Sequence, residues 1–234
     1  MVEPVEPVWL NEGDPFPPGD LSGPEGLVAI GGDLRPETLL EAYEHGIFPW
    51  PWDEGASVPM LWWCPDPRFV LYPAQMHVSH SLRQRVKSGR FEVRMDTAFL
   101  EVVRACGTIE RPGQLGTWIT TEMVEAYQRL HELGWAHSVE CFREDSLVGG
   151  LYGVSLGGVF FGESMFSRET DASKVALVYL VGQLQDWGFR FIDCQQETEH
   201  LRSLGAGNVP RTRFLAELED ALHLPNRQGA WRFD

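Results

Sequence analysis

The pattern of apolar and polar positions changes character about a quarter of the way along this 234-residue chain. The first 34 residues are rich in Pro and Gly and hold no sustained period, so they read as irregular. Pro36 opens a short helical pattern, PETLLEAYEH, which Gly46 closes. The stretch GIFPWPWDEGASVPMLWWCPDPR then sets Trp50, Trp52, Trp62 and Trp63 among prolines, which suits neither a regular helix nor a central strand. It reads as a wrap between two parts of the molecule. The boundary falls near residues 62–66, giving a small N-terminal domain, 1–62, packed on a larger one, 63–234.

The second part alternates clearly. Ser79 or Ser81 caps a helix running to about Lys87, FEVRM is a short strand, and 97–106 is a helix. Thr120 or Thr121 starts another helix, with Met123, Val124, Tyr127, Leu130 and Leu133 at helical spacing and Gly134 at its end. AHSVECF, LVGGLYGVS and VFFGESMF, joined by short turns, predict an antiparallel meander. The loop SRETDAS follows, in which Asp171 or Ser173 caps the helix KVALVYLVGQLQDW. A strand, FRFIDCQ, and two helices, at 198–204 and RTRFLAELEDAL, complete the pattern. The fold class is α+β: a mixed or antiparallel sheet with flanking helices.

The strand FIDCQ poses a chemical question. Alternation puts Phe191, Asp193 and Gln195 on one face and Ile192, Cys194 and Gln196 on the other. An acid beside an amide, where an apolar strand leaves its core, is either a solvated strand end or a catalytic pair. Cys194, on the opposite face and with no histidine at a telling position, reads as a buried thiol.

Composition narrows the classes. The content of 43% apolar and 12% aromatic residues suits a packed globular protein, and no apolar run approaches a membrane span. The opening MVEPVEPVWLNEGD, acidic and proline-rich, is the opposite of a secretory signal, so a cytoplasmic location is expected. Four cysteines, widely spaced and without a CxxC pair, argue against a cysteine zinc site or a disulfide framework. His77 and His80 lack further ligands nearby in sequence and read as structural.

The net charge of −15 opposes nonspecific nucleic-acid binding, but it is unevenly spread. Residues 1–66 hold 13 acids and one base, whereas 67–234 hold 21 acids and 18 bases. SLRQRVKSGRFEVR (81–94) carries Arg83, Arg85, Lys87, Arg90 and Arg94 against Glu92 alone. This basic island is either a solvated helix face or the seat of a local anionic partner.

Meander, loop, helix and parallel-going strand, in that order, resemble the heart of the GNAT acyltransferase fold. There a glycine-rich loop before the helix holds the pyrophosphate of coenzyme A. Here no glycine occurs between Gly162 and Gly182, which limits close backbone approach and disfavours that donor. Aminoacyl-tRNA is the better fit. Aromatic surfaces around Trp50 and Trp118 would stack the adenine, and the basic island would track phosphates.

A more specific resemblance rests on ten segments in order: GGDL, YEHGIFPW, LWWCPDPR, GTWIT, AYQRLHELGWAHSVE, LVGGLYGV, GESMFSR, ASK, FIDCQ and SLGA. Together they resemble the bacterial leucyl/phenylalanyl-tRNA–protein transferases, from about residue 22 to about 226. The resemblance implies an enzyme that moves Leu, Phe or Met from its tRNA to the α-amino group of a protein beginning with Arg or Lys. The product would be marked for N-end-rule degradation. It also implies a GNAT-like C-terminal domain, a monomer, and neither metal nor dissociable cofactor.

On this reading Asp193 accepts the ammonium proton or steers the ammonium electrostatically, and Gln195 orients the amine. Glu163 lines the aminoacyl pocket, with Leu151, Phe160, Met165 and Ile192 forming its apolar walls. Trp50 and Trp118 take the terminal adenosine. Arg83, Arg85 and Lys87 hold acceptor-stem phosphates. The net acidity, with Asp193 and Glu163 in the cleft, would draw in a basic N-terminus. Two rivals are a GNAT-type enzyme using acyl-coenzyme A and a non-catalytic module that binds charged tRNA or basic N-termini.

Overall fold

The computed structural model describes residues 6–23, 25–51, 59–109 and 119–233. Its smaller sheet has four strands, Val8–Leu10 (β1), Leu27–Gly31 (β2), Phe48–Pro49 (β3) and Leu61–Trp63 (β4), ordered β1-β2-β4-β3. Helix α1, Pro36–Glu44, lies between β2 and β3 in sequence.

Two expectations are corrected here. The opening residues are not wholly irregular, because they hold β1 and β2. The Trp-rich segment supplies β4, an inner strand of the small sheet. Prolines 59 and 65 flank β4 without entering it, so the ladder loses no donor. Pro49 lies in β3, at the sheet edge, where a missing N–H is tolerated. Trp62 is fully buried, and its Nε1–H donates to the Gly31 carbonyl at 2.8 Å.

The larger sheet begins with β5, Arg68–Leu71, which sequence periodicity did not reveal. There follow α2 (His80–Lys87), β6 (Glu92–Met95), α3 (Phe99–Thr108) and α4 (Thr121–Glu132). The meander is β7 (Ala136–Arg143), β8 (Ser146–Leu156) and β9 (Val159–Ser167). Then come α5 (Ala172–Asp186), β10 (Phe191–Gln195), α6 (Glu199–Ser203), β11 (Gly207–Val209) and α7 (Arg211–Leu222). Strand order is β11-β5-β10-β9-β8-β7-β6. The pairings are antiparallel except between β9 and β10, so β10 returns parallel after α5, as the element order predicts.

Helix starts follow local chemistry. Ser79 Oγ accepts from Leu82 N–H and Thr120 Oγ1 from Met123 N–H, both at 3.2 Å. At α5 neither expected cap operates through its side chain. Asp171 takes a left-handed φ of 70°, and Ser167 Oγ instead accepts from Ser173 N–H at 3.1 Å. Arg35 offers α1 no acceptor, and Asp33 serves there, accepting from Arg35 N–H at 2.9 Å and Thr38 O–H at 2.6 Å.

One apolar cluster runs from the small sheet (Val28, Ala29, Phe48, Trp62) into the large one (Tyr152, Val154, Phe161). Arg211 ties the two together, donating to the Cys64 carbonyl at 2.9 Å and to the Ser22 carbonyl at 3.1 Å. Among the described residues no helix is long and apolar enough to cross a membrane.

Candidate active site

A cavity of about 910 Å³ opens beside the parallel pair β9–β10, with α5 on one flank and the Phe48–Trp50 segment on another. Leu151, Phe160, Met165 and Ile192 all line it, joined by Leu177 and Leu180 of α5. Glu163, Gln195 and Trp50 line it too. The structure thus brings together seven residues singled out from sequence. Trp118 lies outside the described residues.

Asp193 is placed elsewhere, and the shared-face expectation for Asp193 and Gln195 fails. Register against β5 shifts between these two residues, and Gln195 has φ +61°. This bulge turns Gln195 toward the cavity, which Ile192 and Cys194 also line, while Asp193 stays fully buried behind. Cys194 is therefore half-buried at the cavity wall, and burial raises its thiol pKa, so it stays protonated. Asp193 receives Arg68 on both oxygens, Nε to Oδ1 at 2.8 Å and Nη2 to Oδ2 at 2.6 Å. Its Oδ1 also accepts the backbone N–H of Gln195 at 2.9 Å.

Glu163 is the ionisable group at the inner end. Tyr43 O–H donates to its Oε1 at 2.7 Å, Tyr127 O–H to its Oε2 at 2.6 Å, and Gln195 Nε2 to Oε1 at 3.0 Å. The two phenol oxygens also lie 2.7 Å apart. Two phenolic protons cannot serve the three contacts among these groups. A third proton, on Glu163, closes the ring, since the acid then donates to one phenol and frees it to donate to the other. Burial pushes the Glu163 carboxyl up to about 7, against the pull of the tyrosine hydrogen bonds, and the nearby Asp193 charge adds to the rise. The group therefore changes state near neutral pH.

Sequence reading missed Tyr43, Tyr127 and Arg68. Tyr43 and Tyr127 occupy apolar-face positions of α1 and α4, so periodicity reads them as core. Their hydroxyls matter only because α1 and α4 meet over β9. Arg68 carried a usable signal, a charge opening the apolar run RFVL.

The mouth of the cavity carries charges of both signs. Arg168 and Lys174 line it beside Glu169 and Asp171. Helix α2 is near: Arg85 lies 3.7 Å from Asp171, and Arg90 donates to Glu169 at 2.7 Å. Arg83 and Lys87 are exposed, whereas Arg85 is partly occupied by its acid partner. None of the three lines the cavity.

Comparison with known proteins finds matches across both parts of the chain. The family model described as leucyl/phenylalanyl-tRNA protein transferase matches residues 70–219, and that of its N-terminal domain matches 32–66. The chain belongs to the leucyl/phenylalanyl-tRNA–protein transferase family. The relative of that name from Myxococcus xanthus is 58% identical over 216 residues, 92% of this chain and 91% of its own. Those from Oleidesulfovibrio alaskensis and Thiobacillus denitrificans are each 55% identical, covering 95% and 94% of this chain and 91% and 95% of theirs. Among solved structures, a GCN5-related N-acetyltransferase from Kribbella flavida aligns with a TM-score of 0.36 at 13% identity, over 74% of this chain and 60% of that one. The family's two models meet where the chain leaves β4 of the small sheet for β5 of the large one.

Proposed function

We propose that this chain transfers Leu or Phe from aminoacyl-tRNA to the N-terminal Arg or Lys of acceptor proteins, forming a peptide bond and marking them for degradation. The observation that carries the reading is one cavity with an apolar end and a Glu163–Gln195 polar end. An aminoacyl side chain enters the first, and the ester carbonyl lies against the second. Family membership supports the reaction class.

The chemistry is ester aminolysis. The amine nitrogen bonds to the carbonyl carbon, and the bond to the ribose oxygen breaks. Of the ammonium's protons, one stays on the amide, one goes to the leaving oxygen and one is released. Gln195 gives Nε2–H to Glu163, leaving its Oε1 to accept from the incoming amine. Ionised Glu163 attracts the ammonium and holds polar atoms of the donor. Arg68 occupies both oxygens of Asp193, which disfavours its acting as the proton acceptor.

Trp50, with Trp118, stacks the terminal adenosine. Arg83, Arg85 and Lys87 track the acceptor stem, on a helix that reaches the cavity mouth through the Arg85–Asp171 contact. The enzyme acts in the cytoplasm as a monomer. Its two-domain division, 1–62 and 63–234, places Trp50 and Tyr43 in the first part and the remaining described site residues in the second.

The test is to incubate purified protein with labelled Leu-tRNA and two peptides, one beginning with Arg and one with Ala. Label on the Arg peptide alone is expected. Binding of the charged tRNA without transfer would instead support a non-catalytic module.

A further inference from the structure

Arg68 does not line the cavity, yet its contacts lead to two of the cavity's walls. It is fully buried, and so is its partner Asp193. The guanidinium holds both carboxylate oxygens, and Asp193 Oδ1 in turn holds the backbone N–H of Gln195. Gln195 then reaches Glu163 through its side chain. On its flat faces the same guanidinium carbon lies 4.7 Å from the Phe48 ring and 4.4 Å from the Phe214 ring. Phe48 lines the cavity next to Pro49 and Trp50.

We infer that Arg68 is a positioning residue for the transfer proposed above: held between the Phe48 and Phe214 rings, it pins, through Asp193, the left-handed turn that aims the Gln195 amide. Three physical points support this. A non-glycine residue takes a positive φ only where its surroundings compensate, and the Asp193 carboxylate supplies a fixed acceptor for that turn's N–H. A buried ion pair is a poor device for stability alone, because desolvation offsets the attraction, whereas a two-bond fork fixes direction. Third, Asp193 does not line the cavity, so its influence on the reaction passes through Gln195. Burial opposes the Arg68 charge, yet the Asp193 charge outweighs it and the guanidinium stays protonated. Lysine could match that charge but neither the fork nor the stacking.

The experiment compares the full chain with R68K, D193N and the R68K/D193N double variant, measuring single-turnover transfer from Leu-tRNA to an Arg peptide per folded molecule. A fall of about 10- to 100-fold in the rate of transfer is expected for R68K, with KM for Leu-tRNA within about two-fold. D193N should fall by a similar factor. The double variant should lose no more than the worse single one, because the pair acts as one unit. The pH midpoint of the rate should match wild type in R68K, which keeps both charges of the pair. Wild-type turnover in R68K would overturn the inference. So would a D193N loss far beyond that of R68K with a flattened acid limb, which would make Asp193 the proton acceptor. Should R68K fail to fold, F214L removes one stacking face at a site away from the cavity. A several-fold lower rate at unchanged KM then sustains the inference, and a wild-type rate overturns it. A wild-type protein that transfers nothing would sink the proposed function itself, a result distinct from active wild type with active R68K.

Discussion

Ionising Glu163 costs the folded protein free energy. An unfolded chain releases this proton near 4.5, the folded one near 7. Between those values the native state binds more protons, so the contribution of this group to stability falls as pH rises through that window. The difference corresponds to on the order of 3 kcal/mol once both states are ionised. E163Q keeps the shape and removes the titration. Urea unfolding at pH 5 and pH 8 should show E163Q gaining by about that amount relative to wild type at the higher pH. An equal difference at the two pH values would mean that Glu163 titrates normally. At this scale the sequence was informative about which residues face the cavity: Leu151, Phe160, Met165 and Ile192, expected as apolar pocket walls, all line it. It was silent on the phenol pair, because Tyr43 and Tyr127 are 84 positions apart and converge only through tertiary packing.

The meander depends on a glycine for packing. A Cβ on Gly153 would lie 2.2 Å from the Phe161 carbonyl oxygen and 2.6 Å from the Phe160 ring, which lines the cavity. G153A should therefore destabilise by about 2 kcal/mol or more and raise KM for Leu-tRNA, read by urea unfolding and transfer kinetics. Stability within about 0.5 kcal/mol of wild type would show that β8 and β9 yield easily. Long elements were legible because each repeats its period several times, as in β8, α4 and α5. The small-sheet strands β1 and β4, of three residues each, offer no period to read. The bulge at Gln195 was equally hidden. It arises where Asp193 captures the next backbone N–H but one, and alternation assumes a regular ladder.

Across the whole molecule, charge is divided by location. The net charge is −15, yet Arg83, Arg85 and Lys87 lie on α2, with Arg90 just beyond it, and Arg168 and Lys174 line the cavity nearby. A polyanion meets a generally repulsive body with an exposed basic helix, α2, near the cavity, which favours oriented encounter over loose adhesion. Replacing Arg83, Arg85 and Lys87 by Ala should raise KM for Leu-tRNA nearly equally across leucine-accepting tRNAs and flatten its salt dependence. Titration of KM against salt, with two such tRNAs, checks both points. A loss confined to one tRNA would mean that these residues read sequence. The uneven charge was visible in the sequence, but its convergence with the cavity was not, because α2 precedes α5 by 84 residues or more in the chain and reaches it only by packing.

Tyr43 belongs to α1, from the first quarter of the chain, yet its hydroxyl touches a carboxylate on β9. The candidate site is thus not portable. A gene fragment encoding only the larger sheet would supply Glu163, Gln195 and Tyr127 but leave them without the Tyr43 phenol and the Phe48–Trp50 wall. Recombination between relatives would have to carry α1 and β9 together, so the two parts are tied as a single unit of inheritance.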